Sequence, residues 1–89
     1  MKTFKDLEFK EYPLGGIQAT YHFDNGYGIS VVQGWFSYGG REHLYECAVL
    51  KKCDDGKYHV TYDSPVADDV LGYCDENEVS NIMNQIQQL

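Results

Sequence analysis

A chain of 89 residues has room for one domain with a thin core and little space for an enclosed active site. Hydrophobic residues make up 43% of it, eight tyrosines and four phenylalanines among them. That content excludes disorder and favours a half-buried sheet, because aromatic rings suit pleated surfaces. The formal charge of -7 is unevenly carried: Tyr58 to Leu89 holds six acids and no lysine or arginine, whereas the first 57 residues hold eight acids against seven bases. Such a local negative field suits a basic partner and disfavours direct contact with nucleic acid.

From the N-terminus, Leu7 to Tyr12 is expected as a first strand, closed by the turn residues Pro13-Leu14-Gly15-Gly16. Ile17, Ala19, Tyr21 and Phe23 then alternate with Gln18, Thr20 and His22, and beyond Asp24-Asn25-Gly26 the residues Tyr27, Ile29 and Val31 alternate with Gly28, Ser30 and Val32. A three-residue turn with a left-handed glycine sets Phe23 opposite Tyr27, Tyr21 opposite Ile29 and Ala19 opposite Val31, so all six share one face. The same device recurs at Asp54-Asp55-Gly56 between Leu44 to Cys53 and Lys57 to Asp63. It sets Leu50 opposite Val60 and Ala48 opposite Tyr62, and leaves Cys47, Val49, Lys51, Cys53, Lys57, His59, Thr61 and Asp63 on the other face. A two-residue turn would instead put Lys51 opposite Val60, against the pattern.

The period changes at the C-terminus. Val79, Ile82, Met83, Ile86 and Leu89 recur at three and four residues, the stripe of an amphipathic helix. Asp75 is its expected N-cap, with Glu78 completing a capping box. The fold class that follows is α+β: about five antiparallel strands in a hairpin meander, with a C-terminal amphipathic helix on one face, as a single domain over residues 1–89. No apolar run approaches the ~20 residues of a membrane span, and the N-terminus lacks the apolar core of a signal peptide, so a cytoplasmic location without membrane contact is expected.

Two segments are candidates for binding. The acids Asp63, Asp68, Asp69 and Glu76 offer carboxylates to a basic groove, although Glu76, like Asp75 and Glu78, is also accounted for by the start of a helix. Asp68 and Asp69 have no such local reason. Gly34 to Glu42 sets Trp35, Phe36 and Tyr38 in a glycine-rich loop with Arg41, the residue types of a binding hot spot; the alternative is that Trp35 and Phe36 fold back over an end of the core.

Cys47, Cys53 and Cys74 are odd in number and irregularly spaced, which argues for reduced thiols and against a disulfide framework. Cys53 and His59 form a diagonal pair near the second hairpin tip, and with Cys74 they are the candidate zinc ligands of an alternative reading, a small zinc-binding structural or regulatory module. Cys47 lies six residues from Cys53 on one strand, about 20 Å away, too far to share an ion. Otherwise no cofactor is expected. No paired carboxylates with a partner motif, nucleophile triad or phosphate-cradling glycine motif points to a reaction, so the chain reads as a non-enzyme.

Four stretches carry a resemblance: Asp24-Asn-Gly-Tyr-Gly-Ile-Ser-Val-Val32, Tyr45-Glu-Cys-Ala-Val-Leu50, Tyr62-Asp-Ser-Pro-Val-Ala-Asp-Asp-Val-Leu-Gly-Tyr73, and Glu78 to Leu89. Covering about half the chain, they resemble a family of small, mostly uncharacterised proteins of bacterial phages and prophages. The resemblance implies a shared fold and an accessory role in the host cytoplasm, of the kind played by anti-CRISPR and other anti-defence inhibitors. Its implied partner is a host protein with a basic surface, such as a CRISPR effector nuclease. No catalytic residue transfers, and the cysteines depart from the family's commoner pattern, so a zinc site would be particular to this chain.

Overall fold

The computed structural model describes residues 1–89 and is an antiparallel sheet with one helix against it. The strands are β1 (Lys10–Glu11), β2 (Ile17–His22), β3 (Tyr27–Gln33), β4 (Tyr45–Lys52), β5 (Tyr58–Val60) and β6 (Leu71–Cys74), followed by the helix α1 (Glu76–Gln87). The first five form a meander in chain order, and β6 also pairs with β4. Since β3 covers one edge of β4, β5 and β6 share the other: Leu50 to Lys52 pair with β5, and Tyr45 and Cys47 with β6.

Both hairpins have the expected register, with Tyr21 opposite Ile29, Ala19 opposite Val31 and Leu50 opposite Val60. Gly26 and Gly56 close them at φ of 84° and 79°, a region from which a Cβ is largely barred. In β4 the face bearing Cys47 and Val49 is the one the helix covers, because β3 brings Val31 opposite Cys47 and Ile29 opposite Val49. Lys51 and His59 lie opposite one another on that face toward the second hairpin tip and stand in solvent. Leu50 is buried on the open face. There Gly28 lacks a side chain, and the His22 ring crosses it to stack on Tyr58 at 3.7 Å.

The helix closes the core with Val79, Ile82, Met83 and Ile86, all buried against Ile29, Val31, Cys47 and Val49. Its capping box is formed: the Glu78 N–H donates to Asp75 Oδ1 at 2.8 Å, and the Asp75 N–H to Glu78 Oε1 at 3.2 Å. The apolar stripe ends at Ile86; Leu89 lies beyond the last helical residue and is exposed. No helix is long and apolar enough to cross a membrane.

Two strands are shorter than expected. The first strand shrinks from Leu7–Tyr12 to Lys10–Glu11, because Phe4 and Phe9 are drawn off to pack with Tyr45, with ring centroids 5.1 to 5.6 Å apart. The fifth stops at Val60, with one further ladder bond from the Thr61 N–H to the Val49 carbonyl, so Tyr62 is exposed rather than paired with Ala48. The chain then leaves the edge of β4 as a loop and rejoins it as the sixth strand, β6.

Candidate partner-binding surface

The glycine-rich segment after β3 folds into a tight, hydrogen-bonded loop. Ser37, the one buried polar residue, ties it: the Gly34 N–H donates to Ser37 Oγ at 3.0 Å, and that hydroxyl donates to the Gly34 carbonyl at 2.9 Å. A Cβ at position 40 would fall 1.7 Å from the Gly34 carbonyl oxygen, so only glycine permits this approach. The loop is fastened to the rest of the protein at Tyr38, whose N–H donates to Glu46 Oε1 at 2.9 Å and whose carbonyl accepts from the Tyr73 N–H at 3.1 Å. Gly72 lets the two segments meet, since a Cβ there would lie 2.5 Å from that of Tyr38.

With its backbone held, the loop turns its aromatics in two directions. Phe36 stacks on Tyr12 at 5.4 Å and, at 37%, is the least exposed of the three, but neither ring joins the core. Trp35 and Tyr38 point away from the core and are 69% and 62% exposed. Tyr73 of β6, not singled out by the sequence, joins them at 56%. It has a φ of 56°, and the bulge it makes in the pairing of β6 with β4 projects its ring outward. Large apolar groups left in water on an ordered backbone are the informative exception to burial.

The acids lie on the neighbouring loop between β5 and β6. Val66 and Ala67 pack against the core, and Ser64 Oγ accepts from the Ala67 N–H at 3.3 Å, so this loop too is anchored. Asp68 and Asp69 are exposed at its end, and Asp69 Oδ1 accepts from the Val70 N–H at 2.7 Å. Neither has a basic partner; the protein's one contact at ion-pair distance is that of His59 Nε2 with Asp55 Oδ2 at 2.9 Å, a hydrogen bond that is an ion pair only when the imidazole is protonated. Asp63 is engaged locally: the Thr61 hydroxyl donates to it at 2.6 Å and, with Lys51 nearby, holds its carboxyl below the usual range. Glu76 stands in the first turn of α1, where its charge adds to burial in raising the Tyr45 phenol. Asp69 and Tyr73 are four positions apart, at most about 14 Å of chain. The acidic and aromatic groups therefore share the β6 edge.

The three candidate zinc ligands are not brought together. Cys74 pairs opposite Tyr45 at the start of β4, whereas Cys53 lies just past the end of that strand, eight residues or about 26 Å farther along. His59 is bonded to Asp55, and no group of three metal-ligating side chains converges elsewhere. Instead Cys74 meets Cys47 inside the core. The Cys74 thiol donates to the Gly72 and Leu71 carbonyls at 3.5 and 3.6 Å, and both buried thiols are raised above the ordinary range, chiefly by burial. Only Cys53 is exposed. Alkylation with iodoacetamide is accordingly expected to modify one thiol, Cys53, in the native protein and all three in denaturant; equal rates at all three in the native state would contradict the burial.

Comparison of the chain with protein-family models, with curated proteins and with solved structures returns no match. The surface itself therefore carries the functional reading.

Proposed function

We propose that the chain is a non-catalytic binding protein that blocks a basic surface on a partner protein, with Trp35, Tyr38 and Tyr73 as apolar anchors and Asp68 and Asp69 as the charged flank. The observation that carries this reading is a pinned loop holding two large aromatics in solvent beside carboxylates that no base of the protein neutralises. A rigid aromatic loses little conformational freedom on binding, and an unpaired acid at the rim speeds and steers encounter with a basic surface. Asp63 and Glu76 add to the field from either side, each also serving its own local contact. The resemblance to phage and prophage proteins suggests a nucleic-acid-handling nuclease of host defence as the partner, since its phosphate-contacting surface is basic.

The test uses the partner captured from a bacterial host. Binding is expected to weaken steeply as salt rises, and Asp68→Asn with Asp69→Asn to slow association by about tenfold at low salt. Unchanged affinity and salt dependence in that double variant would reject the acidic flank.

A further inference from the structure

Trp35, Tyr38 and Tyr73 line one depression of about 300 Å³, with Arg41 and Glu42 on its wall. Trp35 touches the ring of Phe36 edge-on at 84°, while Tyr38 and Tyr73 stack with no other ring. Their faces are also free of the protein's own cations: the one ammonium or guanidinium over an aromatic ring is Lys51 on Tyr27, at 5.9 Å, on another part of the sheet. Arg41, on the wall, lies over none of them. Aromatic faces carry negative potential, and a desolvated guanidinium or ammonium is attracted to them. The depression also sits in a protein of net charge -7, with an exposed carboxylate on its wall at Glu42 and two more along the edge at Asp68 and Asp69.

We propose that this depression is a binding site for a cationic side chain of the partner, arginine in preference to lysine. The planar guanidinium stacks on an aromatic face while its edge still donates to a carboxylate, here that of Glu42, whereas a compact and strongly hydrated ammonium does less of both. This inference rests on the reading of the surface as a protein-binding one and names what enters it. Arg41 is the opposing charge on the wall, and it sets the direction of one variant below.

Trp35 is the only tryptophan, so its fluorescence reports on the site without a label. The probes are N-acetyl-arginine amide and N-acetyl-citrulline amide, which share a shape and differ in charge, titrated at constant ionic strength. The expected result is a saturable change with the arginine probe at millimolar concentrations, roughly threefold to thirtyfold stronger than with citrulline. Tyr38→Ala, Tyr73→Ala and Glu42→Gln are each expected to weaken it and Arg41→Ala to strengthen it. Asp54→Asn, an exposed acid at the second hairpin tip, should leave it within about twofold, because screening at constant ionic strength removes most of a distant charge's effect. An equal response to citrulline, or no saturable response to arginine, would overturn the site. That outcome is separable from failure of the acidic flank, which is read from partner affinity in the Asp68 and Asp69 variant.

Discussion

Truncating Met83 to alanine is expected to destabilise the protein by about 2–5 kcal/mol, a large part of the total stability of a domain this size. Met83 has no exposed surface and sits in the middle of the helical stripe, with Val79, Ile82 and Ile86 around it and the β3 and β4 core residues beneath. The loss combines the lost apolar transfer with the cavity left behind, because a single helix against a sheet has no second layer to collapse into the gap. Chemical denaturation read by far-UV circular dichroism gives the result directly. The midpoint should fall sharply while the slope with denaturant stays the same. A loss under about 0.5 kcal/mol would mean that the helix is not seated on the sheet as described.

The second large effect is expected on binding. Replacing Trp35 and Tyr38 together by alanine should weaken partner affinity by about 3–5 kcal/mol, upwards of a hundredfold, while stability moves by little. Both side chains are mostly in water, and the loop is held by Ser37, Gly40 and the backbone of Tyr38, none of which the substitutions remove. Calorimetric titration against the captured partner separates this from unfolding. The loss should appear in dissociation rather than association, since these residues are anchors and the acids do the steering.

Much of the fold was legible because local signals agreed. In each hairpin the turn glycine and the alternation specify one register, and a shift by one residue would have turned the apolar side chains of Tyr21, Ile29 and Val31 outward. The helix combined a capping box with a stripe of five apolar residues, of which Val79, Ile82, Met83 and Ile86 are buried and Leu89 is not. What could not be read was settled by tertiary contact. β6 is only Leu-Gly-Tyr-Cys, with a glycine and a left-handed tyrosine interrupting any alternation, so nothing periodic marks it. Cys47 and Val49 look like the polar side of their hairpin, and only pairing with β3 puts them under the helix.

The site divides in the same way. Composition pointed to the aromatic loop and to Asp68 and Asp69, but whether Trp35 and Tyr38 face solvent depends on contacts beyond the loop, with Glu46 in β4 and Tyr73 in β6. Tyr73 itself was hidden because its exposure comes from a bulge. The zinc ligand set failed for a related reason: sequence places Cys53 and His59 near each other but gives no position for Cys74, which the sixth strand carries to the opposite end of β4.

The most direct test of the account is to map the contact surface by amide and indole chemical-shift perturbation of the isotope-labelled protein as the captured partner is added. If the loop and the β6 edge hold the partner, the largest changes fall on the Trp35 indole, on Tyr38 to Glu42 and on Asp68 to Tyr73. Changes centred instead on the two hairpin tips, Asp24 to Gly26 and Asp54 to Gly56, or on the open face around His22 and Tyr58, would contradict it.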